Sequence, residues 1–307
     1  MQKKLSNLEF YVSNPYIFSG FKKPIDEAKY IIVGIPLDKT STYRPGSRFA
    51  PLYIREASLN IETYSLSLGI DLEDLSIHDA GDLHIVENLN ENLNRISLVV
   101  KDIVNLGKIP ILIGGEHTIT YGAISAFDLK RNIGLLCFDA HADLRDEYMG
   151  EKISHATFMK RVVEKIGAEK LMLVGLRALS KEEAKFLHEA KISYIKSEDL
   201  RLLGFEKVYG IINSKIKNFD KIYLSIDMDV LDPAFAPGVG NPESNGIDSY
   251  TILNLIRKVC NEKILGIDLV EVLPNYDTGI TSILSARILF EALCALEKSS
   301  KIGFKTF

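Results

Sequence analysis

The sequence lacks several features that would place it in a familiar class of protein. It contains no tryptophan and three scattered cysteines, at positions 137, 260 and 294, and none of them belongs to a Cys-x-x-Cys pair. Such cysteines predict neither a disulfide framework nor a thiolate metal site, and they suit a protein of the reducing cytoplasm. No apolar run reaches the ~18–20 residues of a membrane helix, and no apolar signal-peptide segment follows the N-terminus. We therefore expect a cytoplasmic protein with no membrane partner.

A large excess of one charge is also absent. Lys and Arg total 37 and Asp and Glu total 41, which gives a formal net charge of −4. Proteins that bind nucleic acid usually present a basic patch, so nucleic acid is not an expected partner. Hydrophobic residues make up 46% of the 307 positions, and a chain of this length buries roughly three quarters of its unfolded surface on folding. The core therefore needs no disulfides.

Short apolar runs alternate with amphipathic segments along the whole chain. This alternation is typical of a parallel sheet with helices on both faces. About eight strands in one sheet would use most of the chain, which predicts a single domain over residues 1–307. The predicted strands are Tyr30–Val33, Ser76–Asp79, Ile109–Ile113, Ile133–Phe138, Leu171–Val174, Ile192–Ile195, Ile222–Ile226 and Ile264–Val270. The predicted helices are Pro51–Thr63, Leu89–Leu106, Thr118–Phe127, Ala156–Ile166, Lys181–Glu189, Ser249–Val259 and Ser282–Leu296.

Three metal-capable side chains follow a central predicted strand with a spacing of two. Asp139, His141 and Asp143 come directly after the buried run Ile133–Phe138. On an extended chain, side chains two residues apart lie on the same face, so these three groups can converge. A single cluster of this kind is also compatible with a strand end that carries solvated charges and helix caps.

The same pattern recurs at two other strand ends. Asp227 and Asp229 follow the run Ile222–Ile226, and His117 lies in the turn Gly114–Thr118, where the glycines allow a tight bend. In open α/β sheets, ligands bind beyond the carboxyl ends of the strands. Three clusters at such ends favour a binding site over the structural interpretation. The long loop Asp232–Gly246, with three prolines and three glycines, is also expected to be functional.

The combined clusters contain two histidines, four aspartates and no thiolate. Oxygen and imidazole ligands suit a hard or borderline divalent metal such as manganese(II), although neighbouring first-row metals bind the same ligand types. Six ligands, four of them carboxylates, suit two bridged ions better than one. Two ions roughly 3.5–4 Å apart can activate a bridging water as hydroxide. The residues therefore favour a binuclear site for divalent ions that can activate water, with manganese(II) as one candidate metal.

With these motifs, the sequence resembles the ureohydrolase family, the arginases, agmatinases and relatives that hydrolyse guanidino compounds with two manganese ions. The resemblance covers nearly the whole chain and implies a three-layer α/β/α sandwich with a central parallel sheet of about eight strands. It also implies a homo-oligomer, a trimer or a hexamer. The motifs that carry it are Ser41–Ser58, Gly114–Thr118, Asp139–Asp143, Ser154-His155, Ser225–Pro233 and Gly266–Val272.

The resemblance further implies a role for each site residue. The matches to the ligands of one manganese are His117, Asp139, Asp143 and Asp227. The matches to the ligands of the other are Asp139, His141, Asp227 and Asp229, with Asp139 and Asp227 bridging. Asp143 also matches the hydrogen-bond partner of the bridging hydroxide. His155 matches a histidine that shuttles a proton to the leaving amine, and Glu271 matches the carboxylate that binds the guanidinium. Taken singly, His155 could be a helix cap and Glu271 part of a structural ion pair. Asp268, inside an apolar strand, and the turn Asp79–Asp82 are interpreted as structural.

The residues around these motifs indicate which guanidino compound is the substrate. Arg145 stands where arginases have Asn, and Ala178–Ser180 lacks the acidic pair of arginases. The clamp for the amino-acid end of arginine is therefore absent, which favours agmatine, cleaved to putrescine and urea. Val239–Pro242 departs from the Thr-Gly-Thr-Pro usual in the family, so aminopropylagmatine and guanidinobutyrate stay open, the latter with Arg145 as a carboxylate partner. Arginine is the weaker alternative.

Two other classes of function are less favoured than a ureohydrolase. A non-catalytic paralogue on the same fold would usually have lost metal ligands, and this chain keeps all six. A binuclear phosphoesterase would need basic residues around the phosphate, whereas the predicted mouth of the site is mostly acidic. A urea assay on a panel of guanidino compounds separates these alternatives.

Overall fold

The computed structural model describes residues 6–13, 16–128 and 131–303. The strands, numbered in chain order, are β1 Val12–Ser13, β2 Tyr30–Ile35, β3 Tyr64–Ser65, β4 Ile70–Asp71, β5 Ile77–Leu83, β6 Ile109–Gly114, β7 Ile133–Phe138, β8 Leu171–Leu176, β9 Ser193–Lys196, β10 Lys221–Asp227 and β11 Ile264–Val270. The α-helices are α1 Ser6–Tyr11, α2 Ala50–Ser58, α3 Leu89–Asn105, α4 Ile119–Ile124, α5 Phe158–Ile166, α6 Lys181–Glu189, α7 Ser197–Leu203, α8 Phe205–Ile216, α9 Ser249–Val259 and α10 Ile280–Gly303.

Eight parallel strands form the central sheet, as the sequence predicts. The strand order is β1-β5-β2-β6-β11-β10-β7-β8-β9, and all neighbours are parallel except the short edge strand β1, which is antiparallel to β5. β3 and β4 form a separate two-stranded ribbon. This order places the carboxyl ends of β6, β11, β10 and β7 side by side at one edge of the sheet.

Helices cover both faces of the sheet and complete a three-layer sandwich. Alternate residues of β2 pack into the hydrophobic clusters on opposite faces of the sheet. Ile32 lies in one cluster and Ile31 in the other. The first cluster includes residues of α2, α8, α9 and α10, and the second includes residues of α3, α4, α5 and α6. Strands buried on both faces explain the continuous apolar runs in the sequence. Within the described ranges, no helix combines the length and low polarity that crossing a bilayer requires.

Several predicted element boundaries are wrong, mostly at helix ends. The helix predicted over Pro51–Thr63 ends at Ser58, where the Asn60 side chain donates to the Glu56 carbonyl. α4 is shorter than predicted, whereas the last helix extends to Gly303. The unpredicted helix α8 has buried residues at positions 208, 212 and 216, and this spacing of four was the available signal.

A buried ion pair joins Arg55 of α2 to Asp79 and Asp82 of β5. The Arg55 guanidinium is fully buried and donates to both carboxylate oxygens of Asp79, at 2.7 and 2.9 Å, and to Asp82 at 2.5 Å. From the sequence, Asp79–Asp82 is interpreted as a structural turn. The structural role is confirmed, but these residues lie within β5, where the ion pair supplies the partner that a buried guanidinium requires.

Candidate metal centre and active site

The carboxyl ends of four adjacent strands bring the predicted site residues together. His117 follows β6, Asp139 follows β7, Asp227 ends β10 and Glu271 follows β11. The cluster lies at the base of a cleft of about 450 Å³. The predicted residues that line this cleft are His141, Asp143, His155, Asp227, Asp229 and Glu271, and His117 and Asp139 are buried beneath them. Every side chain proposed from the sequence is therefore in one place.

One group of side chains surrounds the His117 ring. The Nδ1 atom of His117 lies 3.0 Å from Asp227 Oδ2, 3.2 Å from Asp139 Oδ2 and 3.7 Å from Asp143 Oδ2. Although these oxygens are close, Nδ1 is buried and has no hydrogen bond of acceptable geometry. A buried, unpartnered nitrogen that faces three carboxylate oxygens is the arrangement expected when these atoms bind the same metal ion.

A second group surrounds the His141 ring. Its Nδ1 atom lies 2.8 Å from Asp229 Oδ2 and 3.8 Å from Asp139 Oδ1. The two oxygens of Asp139 therefore face different histidines, with Oδ2 near His117 and Oδ1 near His141. A carboxylate in this position can bridge two cations, which is the arrangement that the sequence predicts.

Hydrogen bonds behind His117 orient its ring. The Ser225 hydroxyl has one proton and donates it to Asp268 Oδ1 at 2.5 Å, so it accepts from His117 Nε2 at 2.8 Å. His117 is thus protonated at Nε2, and the Nδ1 lone pair faces the carboxylates. Asp268, interpreted from the sequence as structural, also accepts from Thr120 at 2.8 Å. Its role in orienting a candidate ligand was missed at the level of the sequence.

Asp139, Asp227 and Asp229 are buried, and Asp143 is mostly buried, with little compensating charge around them. Burial raises the pKa of Asp139, Asp143 and Asp227 above the usual carboxyl range. Burial also opposes ionisation of Asp229, but the charge and hydrogen bond of His141 outweigh it and lower the pKa of Asp229 to about 2. Buried charges persist only when they are paired or bind metals. The donor set of carboxylate oxygens and imidazole nitrogens therefore fits divalent ions.

A nearby thiol is a poor candidate for the metal position. Cys137 Sγ lies 3.9 Å from His117 Nε2 and 4.0 Å from Asp139 Oδ2. Burial raises the pKa of Cys137 to about 12, so the sulfur keeps its proton at neutral pH, and the thiolate is the form that binds metals. The thiol also contacts the Nε2 side of the His117 ring, which is already bonded to Ser225.

Similarity to known proteins identifies the family. A profile of the arginase family matches residues 28–295. The chain belongs to the arginase family. It is therefore a ureohydrolase of a metal-dependent family, and the predicted family and fold class are both confirmed.

Relatives along the full length of this arginase-family chain support the assignment. The agmatinase of Bacillus subtilis is 37% identical over 287 residues, which cover 92% of this chain and 97% of the relative. The guanidinobutyrase of Pseudomonas aeruginosa is 35% identical over 280 residues, which cover 89% of this chain and 88% of the relative. The crystal structure of the agmatine ureohydrolase of Thermoplasma volcanium matches with a TM-score of 0.88 and 38% identity, over 97% of this chain and 99% of that chain.

Two carboxylates of this arginase-family site have strained backbones. Asp143 has φ of 52° and Glu271 has φ of 62°, and positive φ in a non-glycine residue marks a conformation that its surroundings must enforce. Glu271 is held by its N–H, which donates to the Gly115 carbonyl at 2.9 Å, and by Oε1, which accepts from the His117 N–H at 2.8 Å. Gly115 itself passes so close to Leu37 that a Cβ atom would lie 1.9 Å from its carbonyl oxygen.

His155 lies at the wall of the cleft, in the turn before α5. The helix cap position is Thr157, so the interpretation of His155 as a cap is wrong. Its Nδ1 lies 3.2 Å from Thr40 Oγ1 and its Nε2 lies 3.4 Å from Thr42 Oγ1. Burial and the nearby charge of His141 lower the pKa of His155 to about 4, so its ring is neutral at pH 7. The contact with Thr40 was not predicted, because the two residues lie 115 positions apart.

We expect the metal-free protein to lose stability as the pH rises from 6.5 to about 8. Burial raises the pKa of Glu271 to about 8, so the folded chain keeps a proton that the unfolded chain has lost. The pKa of Asp227, which burial raises well above the usual carboxyl range, acts in the same direction. The lowered pKa of His155 opposes this trend only below pH 6.5, which is the pKa of the side chain in the unfolded chain.

Thermal unfolding of the chelator-treated chain at both pH values checks this expectation. The Tm should be lower at pH 8. Added Mn²⁺ should raise the Tm more at pH 8 than at pH 6.5, because metal binding displaces protons. A metal-free Tm that rises over this interval would contradict the burial of uncompensated carboxylates.

Proposed function

We propose that the protein is an agmatine ureohydrolase that forms putrescine and urea at a centre of two manganese ions. The observation that carries the proposal is the position of Asp139, whose two oxygens face the two histidines of adjoining ligand sets. The proposed ligands are His117, Asp139, Asp143 and Asp227 for one ion and Asp139, His141, Asp227 and Asp229 for the other. Residues 1–307 would form one catalytic domain of a trimer or hexamer. The agmatinase names of two relatives support the choice of substrate.

Glu271 is the proposed partner of the substrate guanidinium. A carboxylate and a guanidinium can form two parallel hydrogen bonds, which fix both position and orientation. Glu271 Oε1 already accepts from the His117 N–H, so the carboxylate is tied directly to the ligand cluster. Gly240 leaves room on the other side, because a Cβ atom there would lie 3.0 Å from Glu271 Oε2. Pairing at Glu271 would hold the guanidinium carbon next to the metal ligands.

Hydrolysis joins the oxygen of a water molecule to the guanidinium carbon and breaks the bond from that carbon to the substituted nitrogen. Both protons of the water end on the departing amine. Two bound divalent ions would supply the positive charge that lowers the pKa of the attacking water and stabilises developing negative charge. Asp143 would accept a hydrogen bond from that water and orient it. The neutral His155 ring would accept one proton and return it to the amine as the C–N bond breaks.

An acidic residue at the mouth suits a substrate with a cationic tail. Glu243 lines the cleft and its Oε1 lies 3.9 Å from His141 Nε2. Its side chain is 46% exposed, and among the described residues no Lys or Arg lies within 4.0 Å of its carboxylate. Glu243 is therefore available to the primary ammonium of agmatine. Arg177 does not compete for it, because its guanidinium donates to the backbone carbonyls of Asp229, Glu243 and Ser244.

A second candidate substrate, guanidinobutyrate, is favoured by Arg145. This side chain also lines the cleft, with its Nε atom 3.7 Å from Glu183 Oε2 and its guanidinium 5.0 Å from the Tyr148 ring. An arginine in the wall of the cleft could pair with the carboxylate of a guanidino acid. The guanidinobutyrase relative supports this alternative. Agmatine remains the first choice because Glu183 already partners Arg145, whereas Glu243 has no Lys or Arg partner in the described part of the chain.

The substrate proposal is tested by urea release from agmatine, arginine and guanidinobutyrate with the manganese-loaded protein. We expect kcat/KM for agmatine to exceed that for arginine by about 100-fold, because arginine would need the amino-acid clamp that this sequence lacks and a lost charged hydrogen bond costs about 1.5–3 kcal/mol. Comparable rates with arginine would refute the absence of an amino-acid clamp. A higher rate with guanidinobutyrate would assign the tail contact to Arg145 instead of Glu243.

A further inference from the structure

A fully buried carboxylate next to the metal cluster has no role in the chemistry described above. Glu116 precedes the candidate ligand His117 and lies beneath the segment 39–42, whose Thr42 lines the cleft. Its Oε2 accepts from the backbone N–H groups of Lys39 at 2.6 Å and Thr40 at 2.7 Å. Its Oε1 accepts from the hydroxyls of Thr40 at 2.9 Å and Thr118 at 2.7 Å. Four donors therefore fill the acceptor positions of an ionised carboxylate.

The proton of the Thr40 hydroxyl is assigned by this arrangement. A hydroxyl carries one donor and two acceptor positions, and the proton of Thr40 goes to Glu116. One acceptor position takes the backbone N–H of His155 at 2.9 Å. The other faces His155 Nδ1 at 3.2 Å. Two acceptors cannot bond to each other, so His155 Nδ1 must carry the proton.

A neutral imidazole has only one N–H, so the other nitrogen of His155 carries a lone pair that can accept a proton. This atom, Nε2, lies 3.4 Å from Thr42 Oγ1, and both residues line the cleft. The partner of one ring nitrogen thus sets the tautomer and the orientation of the whole ring. In this state Nε2 can accept a proton first and donate it afterwards, which is the order required of a carrier between water and amine.

We propose that Glu116 and Thr40 are positioning residues that hold His155 as its Nδ1–H tautomer, with Nε2 directed into the cleft. The inference deepens the proposed function and rests on it, because His155 is a proton carrier only if the cleft hydrolyses a C–N bond. Neither Glu116 nor Thr40 touches the substrate in this account. Both act through the histidine ring.

The test begins with Thr40→Val, which removes the hydroxyl and keeps the shape of the side chain. We expect kcat for the best guanidino substrate to fall by about tenfold or more, since a correctly placed proton carrier contributes about 10²–10⁴-fold. KM and the manganese content should stay the same. Thr40→Ser keeps the hydroxyl and should restore most of kcat. Ser41→Ala is the matched control, because Ser41 lies in the same segment but donates to Asp38 instead of His155, and it should keep wild-type kcat.

A double-mutant cycle with His155→Ala separates positioning from a merely structural role. If Thr40 acts through His155, Thr40→Val should lower kcat in the wild-type background and have no further effect once the ring is gone. Equal losses in both backgrounds, or wild-type kcat in Thr40→Val, would overturn the proposal. Thermal unfolding of each variant shows that the chain is folded, and Thr40→Ser keeps the test informative if the valine variant unfolds.

Failure of the inference can be distinguished from failure of the proposed function. Absence of urea from every guanidino compound with the wild-type protein would reject the proposed function before any variant is made. If the wild type releases urea but the losses from Thr40→Val and His155→Ala simply add in the double variant, the proposed function stands and only the positioning role is rejected.

Glu116→Gln gives a second check. Its amide group can donate to Thr40 and reverse the hydroxyl, so its kcat should fall as in Thr40→Val and Thr40→Val should add nothing to it.

Discussion

Replacement of Asp227 by asparagine should abolish urea formation, with a loss in kcat/KM of at least about 1,000-fold. The Oδ2 atom of Asp227 lies 3.0 Å from His117 Nδ1, and its Oδ1 accepts from the Asp229 N–H at 2.8 Å. In the proposed ligand sets it would serve both metal positions, and an amide removes the charge that they would share. Metal catalysis contributes several kcal/mol to the stabilisation of a transition state, and each 1.36 kcal/mol is a factor of ten in rate.

The metal content of Asp227→Asn should fall together with its activity. Asp220→Asn is the matched control, because Asp220 is an exposed aspartate just before the opposite end of the same strand. We expect the control to keep its manganese and a rate within about twofold of the wild type, as surface substitutions rarely matter. Elemental analysis and a urea assay measure both properties. Full activity in Asp227→Asn would rule out the proposed ligand set.

The second large effect is expected for Glu271→Gln. We predict a loss of at least about 100-fold in kcat/KM with an unchanged metal content. The change removes the negative charge that Glu271 would take on beside the cationic guanidinium, and each hydrogen bond to a charged group is worth about 1.5–3 kcal/mol. The variant should keep its fold, because an amide oxygen can still accept from the His117 N–H, which now bonds Oε1 at 2.8 Å.

A second carboxylate in the same cleft provides the comparison for Glu271→Gln. Glu243→Gln makes the same change in charge at the mouth, where the side chain is 46% exposed. Its loss should be smaller, about tenfold, and should show in KM for agmatine, because exposed pairs are weaker than buried ones. Equal losses in the two variants would mean that Glu271 has no special role in binding the guanidinium. Loss of metal in Glu271→Gln would assign the residue to the metal centre instead.

The strands and the convergence of the candidate ligands are well predicted from the sequence because both depend on local patterns. Runs such as Ile133–Phe138 are buried on both faces and therefore appear as unbroken apolar segments. Parallel strands bring their carboxyl ends to one edge, so the strand pattern alone is enough to place Asp139 and Asp227 together. Helix ends are predicted less well, because caps such as Asn60 depend on single side-chain contacts.

The groups that support the ligands could not be predicted in the same way. Asp268 acts on His117 through Ser225, across residues 43 and 108 positions apart in the chain. Thr40 reaches His155 over 115 residues. No spacing rule connects such positions, since the contacts exist only in the folded chain. The direction of each hydroxyl proton follows from counting donors and acceptors in the folded chain.

Two bound metal ions should be necessary and sufficient for urea release by the folded chain. The decisive measurement is a titration of the chelator-treated protein with Mn²⁺, in which bound metal is counted by elemental analysis and urea from agmatine is assayed at each step. The prediction is no urea without metal and full activity at two ions per chain. Full urea release by the metal-free protein, or saturation of activity at one ion per chain, would contradict the binuclear centre.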